Sequence, residues 1–135
     1  MVSRLSATVS LVAFGGIILA GCTQVTPHPG RVTFQQYCAT CHGADASGNG
    51  PLAGDLPIAP ANLRYLRESN DGVFPTEHVM TTVYGYPGKD TFSTMPEFGP
   101  LLDGPKQIWV SAEGEEVMTP VALLDLVSYL ETLQE

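Results

Sequence analysis

Positive charge is scarce in this sequence of 135 residues. Lys and Arg together number 6 against 14 Asp and Glu, so the formal net charge is −8 at pH 7. Proteins hold nucleic acid mainly through Lys and Arg on its phosphates, and the composition therefore argues against a nucleic-acid partner. The acidic balance either keeps the protein soluble or selects a partner protein with a basic docking face.

Cysteine is scarce as well. The three cysteines are Cys22, Cys38 and Cys41. They are too few for the framework of disulfides that small secreted domains use in place of a large core. With 44% hydrophobic residues, the chain instead has enough apolar content to bury the core of one compact domain.

Apolar runs long enough to cross a bilayer, about 20 residues, are also missing. The run at residues 11–20, LVAFGGIILA, follows Arg4 and closes in small residues before Cys22, as is typical of an export signal. The letters LAGC at residues 19–22 resemble the bacterial lipobox, which implies cleavage before Cys22 and lipid on that residue. An uncleaved anchor and a plain secretory signal are the alternatives, and both still export the domain.

This interpretation divides the chain into three parts. Residues 1–21 are the predicted lipoprotein signal peptide, and residues 22–30 are a polar lipidated tether that contains two prolines. Residues 31–135 form the single predicted domain. We expect an exported, membrane-anchored lipoprotein that faces the periplasm from the inner or the outer membrane.

The letters CATCH at residues 38–42 are the main chemical signal. A capping-box pattern predicts a helix that starts near Thr33. On that helix Cys38, Cys41 and His42 fall at i, i+3 and i+4 and share one face. Gly43 then ends the helix.

Three chemistries use a pair of cysteines at this spacing. A thioredoxin-like pair wants a thiolate at a helix start after a strand, whereas this pair is at a helix end. A zinc site would need a fourth ligand, usually from a second pair. C-x-x-C-H is the signature of one covalently bound haem c, in which Cys38 and Cys41 form thioethers and His42 reaches the iron.

Three segments carry a family resemblance that covers residues 32–133. FQQYCATCHGADASGNGP at residues 34–51, MPEFG at residues 95–99 and SYLETL at residues 128–133 resemble the small class I c-type cytochromes. The resemblance implies an all-α fold, a ring of helices around one haem. It also implies His42 as the proximal iron ligand and Met95 as the distal one.

The candidates for the second ligand can also be compared by their surroundings. Met95 precedes a proline in a loop that can aim its thioether rigidly. Met80 recurs at helical spacing with apolar neighbours and is expected in the core. Met118 ends a predicted strand, although a longer loop could bring it to the iron instead. His28 is in the tether, and His78 is expected to face solvent near a helix start.

The remaining helices are predicted from caps and periodicity. A short helix follows Pro60 with Asn62 as its cap. Another opens at residues 75–77 and stops at Gly85. The last helix runs from Pro120 to about residue 133, and we expect its apolar stripe to pack against the face of Phe34 and Tyr37. That stripe consists of Leu123, Leu126, Val127, Leu130 and Leu133.

A small β-hairpin is predicted before the last helix, as an insertion relative to the simplest family members. Residues 107–110 and 115–119 are its strands, with residues 112–114 as the turn. Trp109, the only tryptophan, is expected to anchor the hairpin by packing.

Two supporting roles follow from the resemblance. In the family a proline carbonyl accepts the Nδ1 proton of the haem histidine, and spacing does not choose among the candidates Pro51, Pro57 and Pro60. Cations near the haem could neutralise its propionates or simply be solvated at the surface. These cations are Arg64, Arg67 and Lys89.

An iron bound by His42 and Met95 has no vacant position for a substrate. Its accessible chemistry is one-electron exchange between Fe(II) and Fe(III). We therefore expect an electron carrier, not an enzyme, that serves redox partner proteins. The alternatives are a cytochrome subunit of a larger dehydrogenase or reductase complex, and a five-coordinate haem protein that binds gas or acts as a peroxidase.

Overall fold

The computed structural model describes residues 26–86 and 94–135. Within these ranges the chain forms helices and one small antiparallel hairpin, which is compatible with a cytochrome c-like fold. The α-helices are α1 (Pro29–Tyr37), α2 (Ala39–His42), α3 (Thr76–Tyr84), α4 (Gly99–Leu102) and α5 (Val121–Thr132). Short 3₁₀ helices span Ala53–Asp55, Leu63–Tyr65 and Glu68–Asn70, and the strands are β1 (Lys106–Val110) and β2 (Glu116–Pro120).

Helix α1 begins earlier than the sequence predicts. It starts at Pro29, not near Thr33, because the Nδ1 atom of His28 accepts a hydrogen bond from the Gly30 N–H at 3.1 Å. Proline at the first helical position costs nothing, since its missing N–H would have no helical partner there. Histidine is not among the usual capping residues, so the sequence did not identify His28 as the cap. The capping-box pattern at Thr33 therefore predicted the wrong helix start.

The core lies between α1, α3 and α5. Phe34 on α1 is fully buried, and its ring centroid lies 5.7 Å from that of Tyr129 on α5. The apolar stripe of α5 is buried in the same cluster, with Leu123 and Leu126 at 0% and 1% exposure. The predicted packing of the last helix against the Phe34 face is confirmed.

The predicted hairpin is also confirmed. Its first strand starts one residue earlier than predicted, at Lys106, and its second strand is shifted by one residue, to Glu116–Pro120. Trp109 pairs with Val117 and Ile108 with Met118. Trp109 is partly buried and packs against the core, as expected of an anchor, whereas Ile108 and Met118 on the opposite face are each 57% exposed. The strand continues to Pro120, so α5 begins one residue later than predicted.

Helix α3 follows the prediction closely. It begins at Thr76 and ends where Gly85 adopts a left-handed conformation with φ of 90°, which costs glycine little. Met80 is buried in the core, as expected. The short helix after Pro60 forms as one 3₁₀ turn, and the side chain of Asn62 caps it by accepting from the Arg64 N–H at 3.0 Å.

No helix within residues 26–86 and 94–135 is long and apolar enough to cross a membrane. The predicted signal peptide and Cys22 lie outside the described residues.

Candidate cofactor site

A cavity of about 340 Å³ lies between α2, α3, α5 and the loop before α4. Cys38, Cys41, His42 and Met95 all line it. Most of the other lining side chains are apolar, including Phe34, Leu63, Leu66, Val79, Val83, Phe98, Leu126 and Leu130. Its volume falls within the range of about 300–1,000 Å³ that ligand sites occupy. The structure therefore brings the four predicted site residues of the domain to one apolar cavity.

Backbone hydrogen bonds connect the Cys38–His42 motif to α1 despite an irregular backbone conformation at Cys38. Cys38 separates α1 from α2 with φ of −109°, while its N–H still bonds to the Phe34 carbonyl at 2.9 Å. The N–H of His42 in turn bonds to the Cys38 carbonyl at 2.9 Å. The motif is thus continuous with α1, whose buried face is anchored on α5.

The two thiols are not joined in a disulfide. Burial, together with the neighbouring Cys41, raises the pKa of the Cys38 thiol to about 12. A reactive redox dithiol needs a lowered pKa so that the thiolate forms at neutral pH. The burial of Cys38 and the raised pKa of its thiol therefore disfavour the thioredoxin-like alternative. Within the described ranges no three His, Cys, Asp or Glu side chains gather as ligands of a metal ion.

The imidazole of His42 is buried and held through one of its nitrogens. Its Nδ1 atom lies 3.0 Å from the carbonyl oxygen of Ala61. Because a carbonyl only accepts, Nδ1 carries the proton and Nε2 keeps its lone pair for a metal. Burial lowers the pKa of His42, although the bond to Ala61 opposes this shift. The side chain is therefore a neutral imidazole at pH 7.

The acceptor for His42 differs from the prediction. It is the carbonyl of Ala61, not that of Pro51, Pro57 or Pro60. The Pro60 carbonyl is turned elsewhere: a Cβ atom at Gly48 would lie only 2.6 Å from it. No side-chain signal could have identified Ala61, because the group involved belongs to the backbone.

The structure also separates the rival second ligands. Met95 is partly buried and lines the cavity beside Pro96, whereas Met118 is exposed on the outer face of the hairpin. His28 caps α1, away from the cavity. His78 does line the cavity, from the first turn of α3, although its side chain is exposed to solvent. Met95 as the iron ligand stays a prediction.

The candidate cations near the site are already paired. Arg64 forms an ion pair with Glu135, and Arg67 with Glu131 at 3.2 Å. Any propionate would have to compete with these carboxylates. Lys89 lies outside the described residues.

Comparison with protein families defines the class of this molecule as a c-type cytochrome. The family model described as "Cytochrome C oxidase, cbb3-type, subunit III" matches residues 25–113, which is more than half of the chain. The chain belongs to this family. Searches of curated proteins and of solved structures gave no match. The matched region ends in the turn of the hairpin, so β2 and α5 lie beyond it.

Membership of this family means an electron-transfer protein that binds haem c. The residues present fit that group: two thiols, one neutral imidazole and one thioether line an apolar cavity of ligand size. Soft sulfur and imidazole donors are those that haem iron takes as axial ligands in cytochromes.

Proposed function

We propose that this chain is a single-haem electron carrier in which Cys38 and Cys41 hold haem c through thioethers, and His42 and Met95 are the axial ligands. One observation carries the proposal: all four side chains line the same cavity, although Met95 is more than 50 residues from the motif. When bound, the haem supplies one-electron exchange at its iron.

His42 contributes a ligand whose orientation is set before the cofactor binds. The Ala61 carbonyl accepts the Nδ1 proton, which fixes the tautomer and presents Nε2 to the metal. The same hydrogen bond increases the electron donation of the imidazole. It therefore stabilises the more highly charged ferric state.

Met95 and the apolar lining act in the opposite direction. A thioether is a soft ligand that favours the ferrous state. Val79, Val83, Leu126 and Leu130 surround the cavity with hydrocarbon, and a low dielectric also disfavours the additional charge of the ferric site. The balance of these effects sets the reduction potential, and two axial side chains leave no position for a substrate.

We further propose that the protein is exported and held to a membrane by lipid on Cys22. Its tether is shorter than the predicted 22–30 and ends before His28, because His28 caps α1 and Gly30 is already buried in the domain. The support is the LAGC pattern in the sequence. The net charge of −8 suits redox partners with a basic docking face.

The decisive experiment uses the full chain expressed in a bacterium that exports and matures c-type cytochromes. The mass of the purified protein should exceed that of the mature polypeptide by one haem. Its visible spectrum should interconvert reversibly between one oxidised and one reduced form in a redox titration. A colourless protein, or a chain with no added mass at Cys38 and Cys41, would contradict the proposal.

A second candidate is a fixed subunit of a larger oxidoreductase complex. It is favoured by the description of the matching family as a subunit of a cytochrome c oxidase. Mild detergent extraction of the native lipoprotein separates the two possibilities. Co-purification with stoichiometric partners would favour the subunit, and a free monomeric cytochrome would favour the mobile carrier.

A further inference from the structure

The last two described residues bind the segment that follows Ala61. The side-chain amide of Gln134 donates to the Leu63 carbonyl at 2.8 Å, and its Oε1 atom accepts from the Arg67 N–H at 2.9 Å. The N–H of Glu135 bonds to the Arg64 carbonyl at 3.1 Å. The end of the chain thus holds three backbone groups in residues 63–67.

The same segment is bound from its other side by the loop after the haem motif. The N–H of Leu63 bonds to the Ala46 carbonyl at 2.8 Å. Ala61 lies two residues before Leu63, and its carbonyl accepts the Nδ1 proton of His42. The position of this acceptor therefore depends on how Leu63 is held.

We infer that Gln134 is a positioning residue for His42. By holding the Leu63 carbonyl and the Arg67 N–H, it keeps the Ala61 carbonyl against the Nδ1 atom of the imidazole. The inference rests on the proposed function, in which His42 binds the haem iron.

Gln134 is better suited to this role than the ion pairs beside it. The Arg64–Glu135 and Arg67–Glu131 pairs have side chains that are 36–52% exposed, and exposed ion pairs contribute little because water screens them. The amide of Gln134 is partly buried, and it also donates to the Leu130 carbonyl of its own helix at 2.8 Å. Its hydrogen bonds are shielded from the competition with water that weakens exposed ones.

The electronic consequence has a definite direction. A tight bond from Nδ1–H to the Ala61 carbonyl makes His42 a stronger donor and stabilises ferric iron. If the segment loosens, this bond lengthens or opens for part of the time. The ferrous state is then relatively favoured, so the midpoint potential rises.

The test is Gln134→Leu in the haem-loaded full chain. Leucine has a similar size, removes all three amide hydrogen bonds and adds no new iron ligand. Two properties are measured: the midpoint potential, and the solvent exchange of the His42 Nδ1 proton in the reduced protein by NMR. We expect a higher potential and exchange that is about fivefold faster, which corresponds to the loss of one ordinary hydrogen bond.

Thr132→Val is the matched control. It also removes a neutral hydrogen bond at the end of the last helix, from Thr132 Oγ1 to the Tyr129 carbonyl, but it does not touch residues 61–67. The midpoint potential of this variant and the exchange rate of its His42 Nδ1 proton should equal those of the wild type. Neither substitution changes the charge of the protein, so a shift in potential cannot come from a lost ionic group.

Three results are informative. If Gln134→Leu lowers the melting temperature but leaves the potential and the Nδ1 exchange unchanged, Gln134 is only structural and the inference is wrong. If that variant does not mature, Gln134→Asn takes its place, because its amide is one methylene too short to reach all three partners. If Gln134→Asn has the midpoint potential and the Nδ1 exchange rate of the wild type, the inference is likewise wrong. A wild type without a reversible haem couple would instead contradict the proposed function itself.

Discussion

Gly30 on α1 lies so close to α5 that a Cβ atom added to it would stand 1.9 Å from the carbonyl oxygen of Asp125. The same atom would lie 2.8 Å from the Cβ of Tyr129. Rotation of a side chain cannot relieve a clash with backbone, so the two helices would have to move apart. Glycine at this position is what allows α1 and α5 to pack at their observed distance.

Gly30→Ala should therefore destabilise the protein. We expect the free energy of unfolding to fall by about 1–3 kcal/mol, the usual cost of forcing extra atoms into a packed interior. Chemical denaturation of the haem-loaded protein, followed by circular dichroism, measures it. Gly54→Ala is the control, because nothing lies within 4 Å of its added Cβ. Equal stability of the two variants would mean that the close approach is not required.

The distal ligand is tested by Met95→Ala. Sulfur bound to ferric iron produces a weak near-infrared charge-transfer band, which we expect in the wild type and not in this variant. Met118→Ala is the matched control, because Met118 is 57% exposed on the hairpin. Loss of the band in Met118→Ala and its retention in Met95→Ala would reverse the assignment.

The same pair of variants addresses the gas-binding alternative. If Met95 is the distal ligand, as proposed, carbon monoxide should change the spectrum of the reduced wild type little at neutral pH, because the sixth position of the iron is then filled. Met95→Ala should bind it readily. A large spectral change in the wild type would instead favour a five-coordinate haem.

The cysteines are expected to have separate roles. Cys38→Ser/Cys41→Ser should yield a chain without covalently attached haem, whereas Cys22→Ser should keep the haem and lose the lipid. Intact mass spectrometry of the purified proteins reports both modifications. Cys22→Ser should also be recovered without detergent. Lipid on this variant, or haem still covalent in the double variant, would contradict the assignment.

The loop after the motif should show an acid-dependent contribution to stability. Ser47 donates to Asp45 Oδ1 from its hydroxyl at 3.0 Å and from its N–H at 3.2 Å, and these bonds lower the pKa of Asp45 below its ordinary value of 3.8. A carboxyl with a lowered pKa stabilises the fold above the unfolded pKa. That contribution is lost as the pH falls through the folded value.

Ser47→Ala should bring the pKa of Asp45 closer to its ordinary value. Carbon-13 NMR titration of the Asp45 carboxyl measures the pKa directly in the wild type and the variant. The melting temperature of the variant should also fall less steeply below about pH 4. An unchanged Asp45 titration in the variant would show that the Ser47 hydroxyl does not contribute to the shift, since alanine keeps the backbone N–H.

Local signals in the sequence predicted the elements whose causes are themselves local. The spacing of Cys38, Cys41 and His42 identified the chemistry. The turn at residues 112–114 marked the hairpin, and Gly85 marked the end of α3. In each case the determining residues lie within a few positions of one another, so no knowledge of distant contacts was needed.

The misplaced features depend on groups that a sequence does not distinguish. Helix α1 was predicted to start near Thr33, but the imidazole of His28 caps it earlier. The acceptor for His42 was expected to be a proline, and it is Ala61. Every residue carries a backbone carbonyl, so only the path of the chain decides which one faces the imidazole.

The sequence alone thus determined the C-x-x-C-H spacing, the acidic charge and the approximate positions of α3, the hairpin and α5, because these depend on residue type and short spacing. It did not predict α4. The tertiary structure decided which carbonyl orients His42, which methionine lines the cavity and why Gly30 must be small. Each of these depends on distances between segments far apart in the chain, and such distances are set only when the core packs.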